Sequence, residues 1–156
     1  MAFTNSNDFI TGARALRTPL GPEVVAQRFT LSMATGDLAL NTIGQIGWLP
    51  PGCVPVDVRV DGTDMDTGAG AAVYQVGIWD GSSASLSTDA NDGGGAWGDT
   101  GTAVATAFDK QLTRTLNNMN GVVKSNSARR LGVKVTTAPS TAAAGTLGVT
   151  LFYRAA

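Results

Sequence analysis

Val54-Pro55-Val56-Asp57-Val58-Arg59-Val60 is the stretch on which the fold turns. Valine recurs at every second position, and in a strand successive side chains point to opposite faces. The spacing predicts a strand with Val54, Val56, Val58 and Val60 against a core and Pro55, Asp57 and Arg59 toward water. Working outward, Ala72 to Trp79 repeats the pattern: Tyr74, Val76 and Ile78 share one face, while Val73, Gln75, Gly77 and Trp79 share the other, where Trp79 can meet a second surface. Further runs of strand length are Arg28 to Met33, Asp37 to Ile46, Thr102 to Phe108, Arg130 to Thr137 and Thr146 to Arg154. In the last two, Leu131, Val133, Val135 and then Leu147, Val149, Leu151, Tyr153 keep a strict period of two. Gly132 and Gly148 fall at matching positions and mark bulges or close approach.

Gly, Asp, Asn and Pro clusters divide these runs, the punctuation of an all-β sandwich or barrel. Asp80 to Thr100 reads as a long Gly/Ser/Asp loop, and Asp109 to Asn120 as a short helix or a loop. No fixed-period repeat and no break in composition divides the body. The chain therefore reads as one antiparallel β-sandwich over residues 28–156, preceded by an extended N-terminal arm over residues 1–27. The arm is polar and irregular except for scattered Phe3, Phe9, Ile10, Leu16 and Leu20 and the stiff Thr18-Pro19-Leu20-Gly21-Pro22. Apolar residues without periodicity suit a segment that orders by lying on a neighbour, against the plainer reading of a frayed terminus.

At 156 residues, with 43% hydrophobic and only 15% charged side chains, the chain can bury a core and lies far from disordered composition. Gly, Ala, Thr and Ser replace the missing charge, which suits a surface covered by partners. A formal net charge of -1 gives no field for a polyanion, so nucleic acid is not an expected partner. The start lacks a basic n-region and an apolar h-region, and no run approaches the length of a membrane span. Synthesis and retention in soluble form, with no membrane partner, are the expectation. Cys53 is the only cysteine, so an intrachain disulfide is excluded.

Chemistry is hard to place. With no histidine, Ser-His-Asp and Cys-His nucleophilic systems and histidine metal sites are all removed. Cys53, with no base beside it in sequence, reads as a small buried hydrophobe. Asp57, Asp61, Asp64 and Asp66, with Asp80 later, form the sharpest polar cluster and raise the question of calcium. The EF-hand pattern fails for want of its twelfth-position Glu and flanking helices, so turns capped by Asp side chains are the favoured reading, with no metal or cofactor assigned. Asp89 to Asp99 is glycine-rich but does not join a strand to a helix, so it is no phosphate loop. Trp97 within it can touch a sugar or a neighbour's pocket, or fold back on the sandwich rim. Arg129-Arg130 with Lys124 makes a small basic spot, ordinarily solvated.

Three stretches carry a family resemblance: Asp37-Leu38-Ala39-Leu40-Asn41 running to Leu49-Pro50-Pro51-Gly52; Val54-Pro55-Val56-Asp57-Val58 with Asp64-Met65-Asp66-Thr67-Gly68; and Gly145-Thr146-Leu147-Gly148-Val149-Thr150-Leu151-Phe152-Tyr153-Arg154. Together they span roughly residues 28 to 154, and in order and spacing the chain resembles the head decoration, or cement, proteins of tailed bacteriophages. Pro50-Pro51-Gly52 stands where that pattern has Pro-Ala-Gly, which keeps the turn chemistry. The resemblance implies a jelly-roll-like sandwich, made in the host cytoplasm and carried on the outer surface of the virion's capsid. There it would bind the major capsid protein, as a homotrimer or other homo-oligomer, without catalytic residues. Phe3, Phe9, Ile10, Leu16, Leu20, Trp79 and Trp97 are the residues expected at capsid or inter-subunit contacts. Two other readings compete: a tail or fibre module binding host glycans through Trp79 or Trp97, and a small hydrolase built on Asp57, Asp61, Asp64 or Asp66, which lacks a base and a cleft.

Overall fold

A computed structural model describes residues 2–81, 85–101, 106–114 and 118–156. Nine strands are found among them: β1 Val24–Met33, β2 Ile43–Leu49, β3 Cys53–Gly62, β4 Val73–Ile78, β5 Gly98–Asp99, β6 Phe108–Gln111, β7 Thr113–Arg114, β8 Arg129–Thr137 and β9 Gly145–Ala155. They form one sheet in the order β1-β9-β3-β6 and a second in the order β2-β8-β4-β5-β7. Every pairing is antiparallel, and the only helical elements among the described residues are two short 3-10 turns, Thr35–Leu38 and Ala90–Asp92.

The pairs nest: β1 lies on β9, β2 on β8, β3 on β6 and β4 on β5. A single long antiparallel ribbon has been rolled until β9 also meets β3 and β8 also meets β4. Nested pairing shared between two sheets is the jelly-roll arrangement, and the expected all-β sandwich is what the chain forms. Between the sheets, Phe29, Leu31, Val58, Val60, Tyr74, Val76, Leu131, Val133, Val135, Leu147, Val149, Leu151 and Tyr153 are buried almost completely. Alternation on β8 and β9 runs as the sequence reads, because each strand is covered by the core on one face only.

Elsewhere the chain departs from simple periodicity, for identifiable reasons. On β3 the register shifts between Pro55 and Asp57, a bulge beside a residue with no N–H to give the ladder. Cys53 and Pro55 therefore face inward with Tyr153, and only Val58 and Val60 of the four valines reach the core. Val54, paired with Arg154, and Val56 are half-exposed. β1 begins at Val24, four residues before the expected edge of the body, because the polar Gln27 occupies an inward position at 7% exposure and hides the alternation.

The run from Asp37 to Ile46 is not one strand. Asp37 is buried, its carboxylate accepts hydrogen bonds from the Ala34 N–H at 3.0 Å and from the Thr4 N–H and hydroxyl at 2.9 and 2.7 Å, and the chain turns there before β2 starts. Of the run Thr102 to Phe108, residues 102–105 lie outside the described residues, and Phe108 opens β6. Within Asp80 to Thr100, residues 82–84 lie outside them, and the rest holds the Ala90–Asp92 turn and β5. Asp109 to Asn120 contributes β6, β7 and a turn at its end, with 115–117 outside the described residues.

Candidate interaction surface

Sheet edges are where a sandwich is vulnerable, since unpaired N–H and C=O groups invite another chain. β1 and β2 each form one edge of their sheets, and residues 2–10 run across the opening between them. The Asn7 amide donates to Thr30 O at 3.0 Å on β1 and to Ile46 O at 2.8 Å on β2, while Asn5 donates to Ser32 O at 2.7 Å. The other end of the Asn7 side chain accepts from the Phe9 and Ile10 N–H groups, turning the chain so that Phe9 points inward. Phe9 is 7% exposed and meets Phe29 edge-on, with centroids 4.9 Å apart and planes at 79°. The Trp48 indole N–H donates to Phe9 O at 3.0 Å, and the Arg14 guanidinium lies 5.0 Å from the Phe9 ring. Phe3 occupies the space where a side chain at Gly44 would stand, its ring 2.5 Å from an ideal Cβ there. Further along, Pro19 is buried and the Tyr153 hydroxyl donates to Arg17 O.

Apolar side chains left partly open by this packing converge on one surface. Ile10 and Leu16 line a hollow of about 360 Å³ with Trp48. Phe3, Ile10 and Trp79 line a second, of about 280 Å³. Trp48 and Trp79 share a third, of about 400 Å³, with Arg129 and Arg130. Trp79 lies over Gly132, its Cβ 2.6 Å from where a Gly132 side chain would begin, so the matched glycine marks close approach. Arg130 stacks over its ring at 5.8 Å. Four residues singled out from the sequence, Phe3, Ile10, Leu16 and Trp79, are thus brought together with Trp48. That tryptophan was missed because the register shift between Gln45 and Gly47 breaks the alternation of β2. Leu20 stands apart, 92% exposed on a turn of its own.

Two of the expected contact residues are removed by burial. Phe9 fills the chain's own core. Trp97 is 0% exposed, its indole N–H donating to Asp92 O at 3.0 Å and its backbone N–H to Val76 O at 2.8 Å. The Ala90–Asp92 turn, capped by the Asp89 carboxylate accepting from Asn91 N–H at 2.8 Å, folds the glycine-rich loop back over the indole. A glycan reading that leans on Trp97 loses that residue.

The aspartates are occupied structurally. Asp66 is 1% exposed and accepts from the N–H groups of Gly68, Ala71, Ser140 and Thr141 and from the Ser140 hydroxyl, all at 2.8 to 3.1 Å. Burial works to raise its pKa, but the hydrogen bonds from Ala71, Thr141 and Ser140 outweigh it and hold the carboxyl far below the usual range. Asp61 pairs with Arg28, Asp109 with Arg59 at 2.8 Å, and Asp92 with Arg129 at 3.0 Å. Asp57 accepts from Gln111 at 2.8 Å, and Asp64 caps the Asp66 N–H at 3.2 Å. No group of three or more Cys, Asp or Glu side chains arranged to hold a metal occurs among the described residues. Burial pushes the Cys53 thiol pKa up, which makes it a poorer nucleophile. Among the described residues no helix is long and apolar enough to cross a membrane.

No protein-family model matches the chain, and no curated protein matches it. Among solved structures, it is similar to a chain of the capsid of Ralstonia phage GP4, at a TM-score of 0.73 and 27% identity, covering 96% of each chain. It is also similar to a chain of the cyanophage Pam1 capsid asymmetric unit, at a TM-score of 0.50 and 20% identity over 98% of each, a likeness of fold alone. These structural neighbours are phage capsid chains, which supports a structural role in a virion.

Proposed function

We propose that this chain is a decoration, or cement, protein of a tailed-phage head: it binds the outer surface of the capsid and reinforces the joints between major capsid protein subunits. The observation that carries the reading is the end-to-end likeness to a chain of the Ralstonia phage GP4 capsid at 27% identity. The contact face is the surface of Phe3, Ile10, Leu16, Trp48 and Trp79, where aromatic anchors stand beside Arg14, Arg129 and Arg130. Interfaces concentrate their energy on such Trp and Arg residues.

The work done is mechanical rather than chemical. A rigid sandwich laid across a joint adds its own contacts to those that must break when the shell strains outward under packaged DNA. Many copies acting together make modest individual contacts sufficient. Neither a cofactor nor a nucleic-acid or membrane partner enters this reading.

The test is add-back to heads assembled without the protein. Bound protein should appear as density on the outer shell, and a Trp48→Ala/Trp79→Ala variant that keeps its fold should be retained at least about tenfold less tightly. Full-length protein that never stays with purified heads refutes the proposal.

A further inference from the structure

The bulge on β3 has a second effect. By turning Val54 and Val56 out of the core, it gives them to a groove of about 730 Å³, closed on the other side by Val122 and Val123. Val123 is 52% exposed, and Lys124 and Arg154 stand at the rim. Neither Lys124 nor Arg154 pairs with a carboxylate among the described residues, and Arg154 Nη1 donates only to the neighbouring Ala155 O at 3.0 Å. An apolar floor with two cations lacking a carboxylate fits an apolar residue followed closely by an acid.

The same chain presents that combination. Leu20 is 92% exposed, more than any other large hydrophobic described, and Glu23 follows three residues later. This is a held turn rather than a loose end: Leu20 N–H donates to the Glu23 carboxylate at 3.0 Å, Gly21 adopts φ 122°, Pro19 is buried and Arg17 O is bonded by Tyr153. Val24, at the foot of the turn, is in register with Arg154 and through it with Val54, so knob and groove share one end of one sheet. The exposure of Leu20 shows that it does not fill the groove of its own chain.

We infer that Leu20 of one copy seats in the Val54–Val123 groove of a second copy, with Glu23 against Lys124 and Arg154. Because the two patches differ, the contact is either made twice about a two-fold axis or repeated head to tail, closing as a ring where the rotation between copies allows. The inference is independent of capsid binding.

Sedimentation equilibrium of the full chain across a wide concentration range tests it. Self-association is expected, weakened by about 10- to 100-fold in Leu20→Asp and in Val123→Asp, the range for losing one buried aliphatic side chain. Glu23→Lys and Lys124→Glu should each weaken it, and the two together should recover it. Both apolar positions are exposed in one chain, and unchanged melting of the variants checks that they fold. A monomer at every soluble concentration, an oligomer indifferent to Leu20→Asp and Val123→Asp, or a double charge reversal without recovery overturns the inference. Monomeric protein that still decorates heads, and loses them on Val123→Asp, overturns it in favour of a shell segment in the groove and leaves the proposed function standing. Self-association that follows the expected pattern in protein never retained on heads does the reverse.

Discussion

Phe9→Ala removes the plug between the edge strands β1 and β2. Phe9 is 7% exposed with its ring against Phe29, and replacing a buried Phe by Ala costs about 3–5 kcal/mol where the surroundings cannot collapse. Here they can yield, because residues 2–10 belong to no strand and only lie across two of them: once the loss exceeds what docks the segment, it detaches and the cost stops growing. A loss of about 3 kcal/mol raises the detached population by about 100-fold, since each 1.4 kcal/mol is a factor of ten. Trypsin reads this directly at Arg14 and Arg17, both exposed, and where opening is fast compared with cleavage the rate follows the open population. The expected result is a body fragment starting at Ala15 or Thr18, released roughly 100-fold faster, while urea unfolding of that body remains cooperative. Asn7→Ala should act in the same direction, since its amide holds both Thr30 O and Ile46 O. A Phe9→Ala protein cut at the parental rate, with stability changed by less than about 1 kcal/mol, would show that the segment is held by something else.

Three further outcomes are expected. Tyr74 is fully buried, stacked on Phe108 at 6.0 Å, and its hydroxyl has no hydrogen-bond partner among the described residues, so Tyr74→Phe should raise urea stability by about 1 kcal/mol. Burial and then the nearby Asp66 charge push its pKa up to about 12, so the wild type should also lose stability as pH rises from about 10 toward 12, and the Phe variant lose less. Asp66→Asn should lower the melting temperature at pH 7, because an amide cannot accept on both sides from Ala71, Ser140 and Thr141. With its folded pKa depressed, the Asp66 contribution is complete above the unfolded value near 3.9 and disappears as pH falls through the folded one, so the gap between wild type and variant should close only in strong acid. Arg59→Ala, which breaks an exposed pair with Asp109, should change stability by less than about 1 kcal/mol, and a larger loss on chemical denaturation would mean that the pair anchors β6.

What could be read from the sequence divides along a physical line. β8 and β9 announce themselves because each has one wet face and one dry one, and the register shifts in their ladders fall on the partner strands β2 and β3 or, against β4, past Val135 at the end of β8. β3 was legible as a strand but not as to its faces: a bulge beside a proline changes which valines point inward, and that choice depends on the partner strand. Gln27 and Asp37 are polar residues in buried positions, and each concealed a boundary, one the start of β1 and the other a turn where a strand was expected. Of the contact residues, Phe3, Ile10, Leu16 and Trp79 come together on one surface, although nothing in their spacing says so, since the surface is made by a segment crossing two sheets. Trp97 reads from sequence either as a contact at a loop tip or as folded back on the sandwich, and its full burial with a hydrogen bond to Asp92 O answers to the second.

The place of β9 between β1 and β3 has a consequence for how the protein comes into being. β9 is made after every other strand described, yet it is an interior strand of its sheet, so no subset of the earlier strands can complete that layer before β9 emerges. Closure of the layer must await β9, and a premature stop before Gly145 would leave β1 and β3 with facing unsatisfied backbones. Such unfinished products would be sticky and short-lived, and quality control in the producing cell would see them before any assembling particle could.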